Sequence, residues 1–156
     1  MVKRPRRRKV EPRPAEVWDR FLKVWQALRM ESVESSTVIV VEGDRDRKSL
    51  RRLGIRGPIA LLHHGQAVGT TAQQLTRRGG LVIVLTDWDT EGGHLAHRLK
   101  EFLEADSVRL DLEYRRRLAV ILRGELVHVE GLARWAQRMA ERAGAPLDHF
   151  LTDLEP

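Results

Sequence analysis

Two short apolar runs, each followed closely by acidic residues, most constrain how this chain can fold. Residues 37–41 lead into Glu42 and a glycine, and residues 81–85 lead to Asp87 and Asp89. Both runs are too short for helices, and their β-branched residues favour buried parallel strands. In open α/β sheets, ligands bind beyond the carboxyl ends of the strands. The pattern therefore predicts a parallel sheet whose carboxyl edge carries several carboxylates.

Carboxylates at such an edge indicate a metal ion. Asp87 and Asp89 are separated by one residue, and Glu42 ends the other predicted strand. Side chains of this kind repel one another unless a cation lies between them. Gly43 permits the tight turn that follows the glutamate. The sequence therefore predicts a Mg²⁺ site at the strand tips.

The order of these residues resembles the Toprim domain. The resemblance rests on Val41-Glu42-Gly43 with Asp46, followed by Asp87-Trp88-Asp89 and Gly92. It covers about residues 37–129 and is greatest to small stand-alone Toprim proteins of archaea. Those proteins are similar to the bacterial nuclease that matures the smallest ribosomal RNA, and Toprim domains also occur in primases and topoisomerases. The resemblance implies metal-dependent phosphoryl transfer on nucleic acid.

The resemblance also implies roles for individual residues. Asp87 and Asp89 would hold Mg²⁺, and Glu42 would act as a general acid or base or contact the metal. Asp46 is either a ligand of a second ion or an acid in the first turn of a helix, since its position suits both. Asp44 is expected to cap that helix. One or two Mg²⁺ ions are therefore expected.

The net charge of +6 is concentrated in the first 13 residues. This segment holds seven of the 28 basic residues and one of the 22 acidic ones, so the remainder contains 21 of each. Like charges and prolines prevent such a segment from folding alone. We expect an arm that contacts nucleic-acid phosphates, the alternative being a solvated tail that aids solubility. Its basic residues are Lys3, Arg4, Arg6, Arg7, Arg8, Lys9 and Arg13.

Hydrophobic periodicity predicts the remaining elements. Helices are expected over about 14–30, 44–53, 66–76, 90–104, 113–123 and 131–142, and strands over about 37–41, 59–62, 81–85, 108–112 and 126–129. The predicted fold class is α/β, a Toprim-like Rossmannoid sandwich with a mostly parallel four-stranded sheet flanked by helices. We divide the chain into the arm (1–13), an N-terminal helix and link (14–36), a Toprim domain (37–130), and a C-terminal helix and tail packed on that domain (131–156).

Several other residues have two interpretations each. His63 and His64 follow a predicted strand, and they either contact phosphate or donate a proton there, or are polar loop residues. Trp18 is expected at the edge of the core rather than stacked on a base. Tyr114 lacks an activating neighbour and is expected to be structural.

Positions along the predicted elements suggest roles for further polar residues. Thr90 is expected to cap the helix after Asp89, Glu91 is a candidate outer ligand, and Asp111 reaches the site only if its strand lies beside the others. The second helix carries a basic exposed face that adds to the nucleic-acid contacts of the arm. That face comprises Arg45, Arg47, Lys48, Arg51 and Arg52.

Composition excludes several classes of protein. No apolar run approaches the roughly 20 residues that a membrane span needs. The N-terminus lacks the apolar core of a signal peptide, and the chain has no cysteine for disulfides or thiolate metal sites. We therefore expect a cytoplasmic protein that does not bind membranes.

The leading hypothesis is a Mg²⁺-dependent nuclease, a phosphodiesterase that acts on nucleic acid and favours RNA over DNA, in RNA processing. Two alternatives stay open: a Toprim protein that binds nucleic acid or a ribonucleoprotein complex without cutting, and a subunit of a larger topoisomerase- or primase-like complex. The enzyme hypothesis requires Glu42, Asp87 and Asp89 to point inward together, whereas binding alone would tolerate their loss.

Overall fold

A computed structural model describes residues 9–103 and 108–146 of the 156-residue chain. Within these ranges, helices and strands alternate, and two short 3₁₀ turns follow β2 and α5, at His63–Gly65 and Val129–Gly131. The elements are α1 (Pro14–Ser32), β1 (Thr37–Val41), α2 (Asp44–Arg52), β2 (Ile59–Leu61), α3 (Val68–Arg78), β3 (Leu81–Val84), α4 (Thr90–Leu103), β4 (Arg109–Asp111), α5 (Glu113–Leu122) and α6 (Leu132–Ala143).

The four strands form one parallel sheet in the order β2-β1-β3-β4. The two central strands are in register, with Val38 opposite Val82 and Val40 opposite Val84. Because they are parallel neighbours, the residues that follow them meet at one edge of the sheet. The predicted α/β fold with a parallel four-stranded sheet is confirmed.

Alternation along the central strands divides the core into two layers. Ile39, Val41, Ile83 and Leu85 pack in one buried cluster with side chains of α1, α2, α5 and α6. Val38, Val40, Val82 and Val84 face the opposite side and pack against α3 and α4. Since both faces are covered, the central strands are apolar apart from Thr37 at the start of β1, as expected of buried parallel strands.

Helix α1 contributes most of the aromatic packing on the first face. The rings of Trp18 and Phe21 stack with their centroids 5.5 Å apart, and Phe21 stacks on Trp25 with a centroid distance of 5.4 Å. Trp135 of α6 contacts Phe21 edge-on, with a centroid distance of 5.1 Å. Trp25 is fully buried, and its indole N–H donates to the carbonyl oxygen of Leu53 at 2.8 Å. Trp18 is 3% exposed, so it belongs to the core and cannot stack on a base.

One predicted element is wrong. Residues 126–129 do not form a strand; they are an extended connection that leads into the 3₁₀ turn. The carbonyl oxygen of Val127 accepts a hydrogen bond from the Trp88 amide at 2.8 Å, which fixes this connection beside the acidic loop rather than along the sheet. An apolar run of this length does not by itself distinguish a strand from such a connection.

Other predictions fall outside the described residues. These are the arm up to Arg8 and the part of the C-terminal tail after residue 146. In the part of the chain that the structure describes, none of the helices has the length and apolar character that crossing a bilayer requires.

The packing of α1 predicts that this helix stabilises the whole fold. Trp25→Ala removes a fully buried indole and leaves the Leu53 carbonyl without its donor, so we expect a loss of about 3–5 kcal/mol in the free energy of unfolding. Met30, on the same helix, is 72% exposed, and Met30→Ala should change stability by less than about 0.5 kcal/mol. Urea denaturation of both variants measures these changes. A loss of stability in Trp25→Ala as small as that in Met30→Ala would mean that α1 is not part of the core.

Candidate metal centre

The predicted acidic residues meet at the carboxyl edge of the sheet. Glu42 directly follows β1, and Asp87 and Asp89 follow β3, its parallel neighbour. Glu42 is 6% and Asp87 8% exposed, and Asp46, from the first turn of α2, is 4% exposed. The fold therefore buries three carboxyl groups in one place, with Asp89 half-buried beside them.

These side chains form two overlapping sets that could each hold a metal ion. Glu42, Asp46 and Asp87 each offer an oxygen, and these atoms lie within 4.8 Å of one another. The second set comprises Asp87, Asp89 and His128, with ligand atoms equally close. Both sets share Asp87, so this carboxylate would be among the ligands whichever set held an ion.

The surroundings of Glu42 fit a cation. Its Oε1 atom is buried and has no hydrogen-bond partner among the described residues. Burial, the neighbouring carboxyl group of Asp87, and the charges of Asp89 and Asp46 raise the pKa of Glu42 to about 8. An unpaired buried carboxyl oxygen is costly unless it is protonated or coordinated. Because the other donors are mainly carboxylate oxygens, the site suits Mg²⁺.

The position of Asp46 suits both of the roles between which the sequence did not decide. Its Oδ2 accepts a hydrogen bond from the Gly43 amide at 2.9 Å, which caps α2. The same carboxyl group faces the cluster, where burial and the charge of Asp87 raise its pKa. The predicted capping by Asp44 is wrong, since Gly43 is the N-cap and Asp44 instead pairs with Arg47 and Lys48 at the surface.

The Asp87–Asp89 loop is held by hydrogen bonds on both sides. Oδ1 of Asp87 accepts from the Val129 amide at 2.8 Å, and Oδ1 of Asp89 accepts from the Gly92 amide at 2.7 Å. A Cβ atom on Gly92 would lie 2.0 Å from the carbonyl oxygen of Asp87, so only glycine permits this close approach. Asp89, rather than the predicted Thr90, thus caps α4 by accepting a hydrogen bond from a backbone amide of its first turn.

Two residues of the site were not identified from the sequence. Nδ1 of His128 lies 3.1 Å from Oδ2 of Asp87 and 3.7 Å from Oδ2 of Asp89. The hydrogen bond with Asp87 raises the pKa of His128. The guanidinium of Arg115 donates to the backbone oxygens of Thr86, at 3.1 Å, and Asp87.

His128 and Arg115 were not found from the sequence because both reach the acidic loop through long-range contacts. His128 lies in the connection that was predicted as a strand, and Arg115 is one of three consecutive arginines on α5. Trp88, between the two aspartates, donates its indole N–H to the Arg115 carbonyl at 2.8 Å and so joins the acidic loop to α5. No local sequence signal marks these long-range contacts.

His64 lies beside the cluster, although the sequence left its role open. Its amide donates to the Glu42 carbonyl at 2.9 Å, and its ring packs over Gly43, where a Cβ atom would be 2.6 Å from Nε2. His63 and His64 both have positive φ angles, 47° and 55°. Non-glycine residues rarely adopt this backbone, and such residues cluster at functional sites.

Other candidates lie elsewhere. Asp111 accepts hydrogen bonds from the Glu113 and Tyr114 amides and caps α5, and Glu91 is exposed. Arg51 is not on the exposed basic face, because it donates to the carbonyl oxygens of Ile55 and Gly57, both at 2.7 Å.

The remaining candidate residues divide between core and surface. Tyr114 is buried with its hydroxyl on Glu31, and burial raises its pKa, as expected of a structural tyrosine. Lys9 and Arg13 are exposed, and Arg13 pairs with Glu16 at 3.0 Å. Arg45 is exposed one residue before Asp46.

Comparison with known proteins agrees with this geometry. Residues 37–121 match the Toprim domain family. A UPF0292 protein of Methanosarcina barkeri is 36% identical over 69% of this chain and 74% of its own length, and one of Thermococcus gammatolerans is 36% identical over 87% and 98%. A solved structure from Aquifex aeolicus superimposes with a TM-score of 0.58 at 26% identity, covering 70% of this chain and 94% of that one.

The repulsion around Glu42 predicts a pH-dependent stability in metal-free protein. Because the pKa of Glu42 is raised from 4.5 to about 8 on folding, the folded state binds its proton more tightly, and stability falls as pH rises between these values. Glu42→Gln removes this titration. In EDTA at pH 8, the free energy of unfolding of the variant should exceed that of wild type by about 1–3 kcal/mol, and this difference should vanish near pH 5.

Urea denaturation at the two pH values measures this difference. Asp44→Asn, which neutralises an exposed acid of the same segment, is the control and should show no comparable gain. Mg²⁺ at pH 8 should stabilise wild type more than Glu42→Gln. An advantage of Glu42→Gln that is the same at both pH values would contradict the assignment.

Proposed function

Because the chain belongs to the Toprim domain family, we propose that it is a Mg²⁺-dependent phosphodiesterase, a nuclease or RNA-processing enzyme. The family connects it with metal-dependent chemistry on nucleic acid, and the cleavage activity is our proposal. The observation that carries it is the buried, unpartnered Oε1 of Glu42 within a cluster of carboxyl groups. A protein that only bound nucleic acid would gain nothing from this costly arrangement.

Glu42, Asp46, Asp87 and Asp89 are the residues that would hold one or two Mg²⁺ ions. Bound Mg²⁺ would neutralise a phosphate, activate water and stabilise the leaving oxygen. Asp87 is positioned for this by the Val129 amide and His128, and Asp89 by the Gly92 amide. These supports fix the direction of the carboxylates before a ligand arrives, which lowers the cost of binding.

Glu42 is the proposed general acid or base. A group with this function works best when its pKa lies near the working pH. A nearby cation lowers the pKa of a carboxyl group, whereas burial raises it. The 6% exposure of Glu42 supplies that opposing effect, and its raised pKa supports proton transfer near neutral pH.

Substrate binding is assigned to the basic arm and to Arg45. The basic arm residues are Lys3, Arg4, Arg6, Arg7, Arg8, Lys9 and Arg13, which together with Glu11 account for the entire net charge of +6. Basic segments of this kind bind phosphates without regard to sequence. We propose RNA in preference to DNA as the substrate, either free or within a ribonucleoprotein complex. We also propose a cytoplasmic location, with which the lack of cysteine agrees.

The proposal predicts metal-dependent cleavage that depends on the buried acids. Labelled structured RNA and DNA should be cut with Mg²⁺ or Mn²⁺ and left intact in EDTA. Glu42→Gln and Asp87→Asn should each lower the rate by at least about 100-fold. Asp44→Asn, an exposed acid two residues after Glu42, should stay within about threefold of wild type. Binding of nucleic acid that persists in all variants, with no cutting by wild type, would instead support a binding protein without nuclease activity.

The arm predicts salt-dependent affinity. Deleting residues 1–9 removes six basic residues while leaving the Arg13–Glu16 ion pair at the start of α1. The affinity for a labelled oligonucleotide should fall, and its logarithmic dependence on salt should become shallower by about 0.7–0.9 for each phosphate that the protein no longer neutralises. Fluorescence anisotropy in EDTA at several salt concentrations measures this. An unchanged slope would identify the arm as a solubility tail.

A further inference from the structure

A basic groove lies between α2 and the start of α6, next to the acidic cluster. Its volume is about 330 Å³, and it is lined by Arg45, Lys48, Ser49, Arg52, Glu130, Gly131 and Arg134. Four of these seven residues are basic. Residues 131–143 lie beyond the end of the family match at residue 121, so one wall of the groove lies outside the part of the chain that matches the Toprim domain family.

The positions of the basic residues follow from the packing of the two helices. Arg45, Lys48 and Arg52 are spaced i, i+3 and i+7, so they form one exposed stripe along α2. Leu50 is buried on the other side of the helix, and Ser49 is buried at the base of the groove. The hydroxyl of Ser49 accepts a hydrogen bond from the Ala133 amide at 3.0 Å, which fixes the first turn of α6 and places Arg134 across the groove.

Most of this charge is available to a ligand. Arg45, Arg52 and Arg134 are exposed, and within residues 9–103 and 108–146 none of them forms an ion pair. Lys48 pairs with Asp44, which is shared with Arg47. Unpaired arginines along a groove bind phosphate groups through two parallel N–H donors.

The groove borders the acidic cluster. Arg45 directly precedes Asp46 in α2, and Glu130, on the groove wall, directly follows Val129, whose amide donates to Asp87 at 2.8 Å. From Arg45 to Arg52 the stripe is roughly 10 Å long, which matches about three stacked nucleotides. Among the residues that the structure describes, no aromatic side chain lines the groove, so it offers charge and not base stacking.

We propose that this groove binds the phosphate backbone of a nucleic-acid strand. The bound phosphates lie to one side of the phosphodiester on which the acidic cluster acts. The inference rests on the proposed function in one respect: the direction of the bound strand assumes that the reaction takes place at the acidic cluster. Arg45, Arg52 and Arg134 contact successive phosphates, and Lys48 adds a further charge. Since the contacts are to phosphates, the groove sets strand position without selecting sequence.

The test compares two full-length triple variants that lose the same charge. Arg45→Ala/Arg52→Ala/Arg134→Ala removes the groove arginines, and Arg77→Ala/Arg78→Ala/Arg109→Ala removes three arginines at the opposite, amino edge of the sheet. Fluorescence anisotropy with labelled single-stranded and duplex RNA and DNA is measured in EDTA over a range of salt. Circular dichroism melting verifies that both variants are folded.

The groove variant should bind about 10–100-fold more weakly near 0.1 M salt, and the slope of log K against log salt should become shallower by about 2. The control variant should stay within about threefold of wild type. The charge-conserving variant Arg45→Lys/Arg52→Lys/Arg134→Lys should retain most of the slope. The nucleic acid for which the loss is largest identifies the preferred strand type.

Two outcomes would overturn the proposal: a groove variant with wild-type affinity and slope, or equal losses in the groove and control variants. The first would indicate that the groove serves another kind of partner, such as an acidic protein surface. Because binding is measured in EDTA, the result does not depend on cleavage. If wild type cuts nothing but the groove variant alone loses affinity, the phosphate site stands and the proposed enzyme activity fails.

Discussion

Electrostatic repulsion among buried carboxyl groups is the constraint around which this molecule is built. Glu42, Asp46 and Asp87 are each less than 9% exposed and lie within a few ångströms of one another. Such groups separate or take up protons unless the structure opposes this. Here the amides of Gly43 and Val129 and the imidazole of His128 hold Asp46 and Asp87 in place. The energy for this comes from the two apolar layers that enclose the sheet.

The part of this arrangement that depends on local patterns was predictable. Short β-branched runs identified the strands, and the rule that ligands bind at carboxyl ends placed Glu42, Asp87 and Asp89 at one edge. The adjacency of β1 and β3 then brought them together. Asp46 was expected either as a helix acid or as a ligand, and the structure leaves room for both because the capping hydrogen bond uses only one of its oxygens.

The supports of the site were not predictable in the same way. His128 and Arg115 lie 41 and 28 residues from Asp87 in sequence, and nothing in their neighbourhoods indicates which loop they contact. The two helix caps were misassigned for a related reason. Asp44 and Thr90 are favourable capping residues by type, but the neighbouring residues, Gly43 and Asp89, occupy the capping positions because the strand tips fix the backbone there.

The hydrogen bond from Val129 to Asp87 means that the functional unit is larger than the evolutionary module. Similarity to the Toprim family ends at residue 121, yet the segment that orients the central aspartate begins several residues later, and α6 follows it directly. The shared domain therefore supplies the carboxylates, while the segment that follows it orients Asp87. Exchange of that segment would change how Asp87 is held while leaving Glu42, Asp46, Asp87 and Asp89 in place, which offers one route by which a common core is adapted.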